Sequence, residues 1–301
     1  MNNQSECKLH GVIPAIVTPM NEDGSVNYGL LEKQADYLMN AGVNGLFVCG
    51  GTGEGAYLTT EEKRQVYKTI RATVGKRLFL CLAAINSNTP ATVREMAALE
   101  DCDADFWVST TPFYHGANQN DILEHYRQVA AQANAPIIVY NIPSATHNNI
   151  ELETVLTLSQ LDNVAGTKDS SGNFIAFSKG LFGPRKKGFA WIQGEDYLCA
   201  PALLCGGDGM VSGLSNARVE PYVAMYRAHL AGDIQAVKHC QSRINDMYRI
   251  IHSCGNGNAA IKAVTELSGR GTRWMRQHSF SLSDEQVERI RVIMEQYEAN
   301  A

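Results

Sequence analysis

The chain has 301 residues, 45% of them hydrophobic and 19% charged, with a formal net charge of -5. That supports one large core or two modest ones, and nothing in an acidic balance suggests a nucleic-acid footprint. No apolar run approaches the roughly 20 residues of a membrane span, and the opening MNNQSECKLHG lacks the apolar core of a signal peptide. Eight cysteines without a CxxC pair, with Cys49 and Cys81 inside apolar runs and Cys199 and Cys205 flanking another, read as reduced thiols, so the expected setting is cytoplasmic.

Taken in chain order, short apolar strand candidates recur at 11–17, 44–49, 77–84, 104–109, 135–140, 163–168, 189–193 and 208–212. Helix-like segments fill most of the gaps, among them 28–42, 59–75, 88–102 and 120–133. The second opens with the capping-box pattern Thr59-x-x-Glu62. Strands that are apolar throughout, separated by amphipathic helices, predict a parallel sheet covered by helices. Eight such units predict a closed (β/α)8 TIM barrel rather than an open doubly wound sheet. A dinucleotide-binding sheet is disfavoured because TPMNEDGSV, not GxGxxG, follows the first strand. Beyond the eighth strand the remaining segments, 220–232, 233–253, 257–269 and 283–299, all read as helices. The expected organisation is a barrel over 1–230 and a C-terminal helical extension over 231–301 packed on it.

In such a barrel, chemistry gathers at the C-terminal ends of the strands. Those ends read Thr18-Pro19, GGTGE at 50–54, Asn86, TTPFYHG at 110–116, YNIPS at 140–144, KDSSG at 168–172, GED at 194–196 and SGLSN at 212–216. Lys168 ends the sixth strand, so its stem rises from the core into the barrel mouth. A partly buried amine loses hydration of its charged form, and a neutral amine condenses with a carbonyl to give a Schiff base. The competing reading is a structural ion pair with Asp169 or Glu195. Tyr140 ends the neighbouring strand, where a phenol can relay protons or simply cap the core. The glycines of GGTGE, with the Thr52 hydroxyl, suit a carboxylate or phosphate through backbone N–H groups, and Glu54 is expected to tie that loop down. GxxxxGK[ST] is absent, as are HxH, HExxH and GxSxG. Only His115 and His147 fall on mouth loops, so no metal site and no cofactor are expected.

With GVIPAIVTPM, GGTGE, TPFY, YNIPS, GTKDSSGN and GGDGMVSG in this order, residues 10–295 resemble the pyruvate-dependent class I lyases typified by dihydrodipicolinate synthase and N-acetylneuraminate lyase. The resemblance implies a (β/α)8 barrel with a helical C-terminal region, assembled as a homotetramer of two tight dimers. It implies that Lys168 carries the Schiff base to a small-molecule 2-keto acid and that Tyr140 shuttles the proton. It further implies that Gly51 and Thr52 hold the keto-acid carboxylate, that Tyr114 reaches across the tight interface, and that the Val211 carbonyl lies beside the Schiff-base carbon. Ser170, Asp196 and Ser215 are candidates for contacting the rest of the substrate.

Three positions depart from the family pattern. Gly51 stands where the synthases carry a hydroxyl residue, Ala145 where they carry an arginine that recognises the second substrate's carboxylate, and Tyr197 where neuraminate lyases carry an acid. These departures favour aldol cleavage of a 2-keto-3-deoxy sugar acid, or a related 4-hydroxy-2-keto acid, to pyruvate and an aldehyde. The alternatives are neuraminate cleavage, condensation of pyruvate with an aldehyde as in dihydrodipicolinate synthase, or a non-catalytic keto-acid-binding barrel.

Overall fold

The computed structural model describes residues 9–184 and 186–300; residues 1–8 of the opening stretch read for a signal peptide, Cys7 among them, lie outside them. Eight strands run in chain order: β1 (Gly11–Pro14), β2 (Gly45–Val48), β3 (Phe79–Ala83), β4 (Phe106–Thr110), β5 (Ile137–Asn141), β6 (Val164–Asp169), β7 (Ala190–Gln193) and β8 (Gly209–Ser212). All paired neighbours are parallel, in the order β1-β8-β7-β6-β5-β4-β3-β2. The Ala15–Phe47 bridge and the Asn44 N–H to Val12 carbonyl bond join β1 to β2, so the sheet closes on itself. This is the (β/α)8 barrel read from the sequence.

The strands separate two apolar layers. Ile13, Phe47, Val108, Ile138, Ile192 and Val211 fill the barrel interior. The alternate residues, such as Val12, Leu46, Trp107 and Val139, pack outward against the helices. This alternation follows from the two-residue period of a strand. It also explains why the strands read as unbroken apolar runs, since both faces are buried.

The helices Tyr28–Ala41, Thr60–Val74, Thr89–Ala98 and Gln119–Gln132 coat the first half of the barrel. The Thr59 side chain accepts from the Glu62 N–H while Glu62 returns a bond to the Thr59 N–H, so the capping box is formed. The second half carries shorter helices, Leu152–Leu158, Phe174–Phe182 and Cys199–Leu204. Among the described residues no helix is long and apolar enough to cross a membrane. The seven described cysteines are free thiols.

After β8 come the helices Glu220–Leu230, Ile234–Met247, Arg249–His252, Gly257–Leu267 and Asp284–Ala299. The segment 233–253, expected as one helix, breaks at Tyr248 into two. Helix Gly257–Leu267 carries more than a packing face, because two of its side chains reach the barrel mouth.

Candidate active site

The register of the sheet assembles the reactive corner. Thr110 pairs with Tyr140, Tyr140 with Lys168, and Lys168 with Ile192 across β4, β5, β6 and β7. Residues paired in this way share a layer and a face. Lys168 is 5% exposed and Tyr140 6% exposed. The Lys168 Nζ lies 3.8 Å from the centroid of the Tyr140 ring and 4.5 Å from that of Phe47. Those two rings meet edge-on at 5.9 Å. The amine is thus seated on two aromatic faces, whose negative quadrupoles attract a cation without neutralising it.

The structural ion pair weighed for Lys168 is not formed: among the described residues no carboxylate lies within salt-bridge distance of its amine. Asp169, the next residue along the strand, faces the helical layer. Its carboxylate accepts from Asn141 Nδ2 and from the Ser171 N–H and hydroxyl, each at 3.1 Å. Burial raises the Asp169 carboxyl above its usual range, and those bonds oppose the rise. Gly194 leaves room for the lysine: a Cβ there would stand 3.0 Å from Lys168 Cε and 2.1 Å from Ser170 Oγ.

The GGTGE loop follows β2. Among the described residues, the N–H groups of Gly51 and Thr52 have no acceptor in the chain, an arrangement suited to an anion. The Gly51 carbonyl accepts from Asn258 Nδ2 at 3.3 Å, and the Thr18 hydroxyl donates to the Gly53 carbonyl at 2.7 Å. A Cβ at Gly51 would meet nothing within 4 Å, so the missing hydroxyl residue reflects no steric demand. Glu54 ties the loop down, as expected, through a partner the sequence did not suggest. Its carboxylate pairs with Lys262 from helix Gly257–Leu267 and accepts from the Arg276 N–H at 2.8 Å. The two side chains are 2% and 0% exposed. Burial pulls the Lys262 ammonium below its usual range, and Glu54 opposes that shift.

Tyr114 is 87% exposed, with φ at 80°, a left-handed backbone rarely adopted outside glycine. Asn148 holds the surrounding turn: its Nδ2 donates to the carbonyls of Pro112 and His115 at 2.8 and 3.0 Å, and its Oδ1 accepts from the Ala117 N–H at 2.9 Å.

The remaining candidates separate. Ser170 stands beside Gly194 at the mouth, and the Val211 side chain borders a small cavity around the Lys168 stem. Asp196 is half-buried, and its Oδ1 accepts from the hydroxyls of Ser212 and Tyr222, both at 2.6 Å. Burial pushes its carboxyl up to about 6. Ser215 is fully buried, and its hydroxyl donates to the Ser212 carbonyl at 2.8 Å. Ala145 is exposed on a short turn after β5. The mouth segments 50–54, 110–116, 141–147, 169–173, 194–197 and 212–216 hold no lysine or arginine; Lys168 is at their base. Among the described residues, no group of three or more histidine, cysteine, aspartate or glutamate side chains could hold a metal ion.

Three features of the site escaped the sequence reading: Phe47 beneath the amine, Lys262 behind the loop, and the buried Thr110 hydroxyl, which has no hydrogen-bond partner among the described residues. For Phe47 and Thr110 a signal was present, because strand alternation puts both on the inward face. For Lys262 there was none, as it lies 208 positions from its partner.

Comparison with known proteins agrees with this geometry. The chain is 33% identical over 262 residues to the 4-hydroxy-tetrahydrodipicolinate synthase of Neisseria gonorrhoeae, covering 87% of this chain and 89% of that protein. It is 31% identical over 290 residues to the synthase of the same name from Archaeoglobus fulgidus, covering 96% and 99%. The crystal structure of dihydrodipicolinate synthase from Aquifex aeolicus superposes with a TM-score of 0.89 at 26% identity, covering 96% of this chain and 98% of that one. The chloride-inhibited dihydrodipicolinate synthase from Acinetobacter baumannii, solved with pyruvate, gives 0.88 at 27% identity, covering 96% and 99%. The model of the dihydrodipicolinate synthetase family matches residues 8–297, and the chain belongs to that family of pyruvate-dependent class I lyases.

Proposed function

We propose that this enzyme condenses pyruvate with an aldehyde through a Schiff base on Lys168, in the manner of a dihydrodipicolinate synthase. The observation that carries the reading is the Lys168 amine, buried on the faces of Tyr140 and Phe47 and free of any carboxylate partner among the described residues. The expectation of aldol cleavage as the main reaction gives way here, because the Neisseria gonorrhoeae and Archaeoglobus fulgidus relatives, each matching most of the chain, are synthases.

The steps follow from the groups at hand. The Lys168 amine adds to the C2 carbonyl of pyruvate, and the carbinolamine loses water to give an iminium. Tyr140, left as phenolate by protonating the departing hydroxyl, takes a proton from C3 to leave an enamine, whose C3 attacks the aldehyde carbon. The C3–C4 bond forms, and the aldehyde oxygen takes a proton from Tyr140. Water gives a proton to the Tyr140 phenolate and adds to the iminium carbon, and breaking of the C–N bond releases the 4-hydroxy-2-keto acid and restores the amine. The pyruvate carboxylate is received by the Gly51 and Thr52 N–H groups, with the Val211 carbonyl near the Schiff-base carbon. Ser170, at the mouth beside Gly194, is within reach of the second substrate. Ser215 and Asp196 instead brace the loop after β8. Tyr114, exposed on one protomer, supports the relay of its neighbour in a homotetramer of tight dimers.

A second reading is kept by one specific observation. The mouth offers no arginine or lysine besides Lys168, so a second substrate carrying its own carboxylate lacks a cation to receive it. That favours a neutral hydroxylated aldehyde and the reverse reaction, cleavage of a 2-keto-3-deoxy sugar acid. Mass spectrometry of products separates the two. Pyruvate with aspartate semialdehyde should give the condensation product at a higher kcat/KM than that for cleavage of 2-keto-3-deoxygluconate. The opposite ranking would overturn condensation as the main reaction, and absence of turnover on both would leave a keto-acid-binding barrel.

A further inference from the structure

Thr110 is the last residue of β4 and is 3% exposed. Phe106 and Val108, four and two positions earlier, point into the barrel, whereas Trp107 packs outward and the Ser109 hydroxyl meets His125 Nε2 at 3.3 Å. Alternation therefore turns the Thr110 side chain inward, beside Tyr140, its register partner. Among the described residues, Thr110 Oγ1 is the one buried side-chain polar atom with no hydrogen-bond partner. Buried hydroxyls are normally paired, because desolvation without a compensating bond is unfavourable.

The backbone at this point is firmly held, so the side chain is not the product of a loose strand end. His125 Nε2 lies 3.1 Å from the Thr110 carbonyl, and Nδ1 lies 2.9 Å from the Thr89 hydroxyl. A carbonyl can only accept, so Nε2 carries the proton and Nδ1 accepts from Thr89. The Tyr126 hydroxyl donates to the Ser109 carbonyl at 2.9 Å. Valine has the same shape as threonine and suits a strand equally well. A hydroxyl in its place, buried and unpaired within the chain, marks a contact that a bound molecule completes.

Tyr140 lies between Thr110 and Lys168 in the register. A substrate held covalently on Lys168 meets Tyr140 first and Thr110 beyond it. We infer that the Thr110 hydroxyl is a specificity-determining contact, hydrogen-bonded to the oxygen of the aldehyde-derived half of the substrate. This rests on the Schiff-base reading of Lys168 above.

The test compares Thr110→Val and Thr110→Ser with the wild-type enzyme, using pyruvate with aspartate semialdehyde and with glyceraldehyde. In Thr110→Val, kcat/KM for the productive aldehyde should fall by about tenfold to a hundredfold. The KM for pyruvate should stay within about threefold, and borohydride should still trap pyruvate on Lys168. Thr110→Ser should retain most of the activity. The melting temperature of Thr110→Val should equal or exceed the wild-type value, since no bond is lost in the resting protein. Aldehyde kcat/KM unchanged in Thr110→Val, an equal loss in pyruvate trapping, or a lowered melting temperature would each overturn the inference. Failure of the wild-type enzyme to trap pyruvate on Lys168 would instead overturn the Schiff-base reading on which it rests.

Discussion

Replacing Lys262 by methionine removes the cation that faces Glu54 inside the protein. The two side chains are 0% and 2% exposed, so the remaining carboxylate cannot recover its hydration without local rearrangement. Breaking a buried pair by deleting one partner costs about 3–5 kcal/mol, because an uncompensated charge is left behind. For a chain of this length that corresponds to a fall in melting temperature on the order of 10 °C. The loss should not be confined to stability. Glu54 also accepts from the Arg276 N–H and sets the conformation of GGTGE, itself holding a left-handed φ of 56°. A loop released from this anchor should bind the keto-acid carboxylate less well. The assay is equilibrium unfolding in urea, paired with the pyruvate concentration that half-saturates borohydride trapping. The double variant Glu54→Gln with Lys262→Met should recover at least half of the lost stability, since the amide oxygen can still accept from Arg276 and no charge is stranded. A Lys262→Met variant within about 1 kcal/mol of wild type would refute the argument that this pair is a buried anchor.

Two further outcomes follow from the geometry of the mouth. Gly194→Ala places a Cβ 2.1 Å from Ser170 Oγ and 3.0 Å from Lys168 Cε, so the rate of pyruvate trapping should fall about tenfold or more; trapping at the wild-type rate would show that the lysine needs no such clearance. Acid stability should reveal two opposed groups. Burial holds His125 down to about 4, so between its usual value near 6.5 and 4 the unfolded chain binds the proton and the native chain does not, and stability falls with acidification. Burial lifts Asp196 to about 6, so between about 6 and its usual value near 3.8 the native chain holds the extra proton, and its contribution rises with acidification. Asp196→Asn should therefore lose more stability between pH 6.5 and 4 than wild type, and His125→Asn less. Unfolding curves whose pH slopes are identical in all three proteins would contradict both assignments.

The barrel was legible because each strand is apolar on both faces, and only a sheet with helices outside and side chains inside satisfies that pattern. The boundaries were less so. The first strand, read over 11–17, ends at Pro14, beyond which Ala15 makes only an isolated bridge to Phe47 while its N–H still bonds to the Ser212 carbonyl. The short helices Leu152–Leu158 and Cys199–Leu204 are too brief to show a periodic stripe. At the mouth, Lys168 and Tyr140 could be found because each closes an apolar run with a reactive group. The Lys262 anchor could not, since pairing across the whole chain leaves no local trace. Asp196 and Ser215 carried a polar residue type at a strand end, but their bonding to Ser212 and Tyr222 depends on tertiary packing that the strand-end pattern does not encode.

The most direct test of the account is borohydride reduction of the full-length protein in the presence of pyruvate, followed by intact mass measurement and peptide mapping. The amine seated on Tyr140 and Phe47 predicts a single reduced pyruvate adduct per chain, on Lys168. No adduct, or an adduct on another lysine, would contradict the catalytic reading of this residue and with it the proposed condensation.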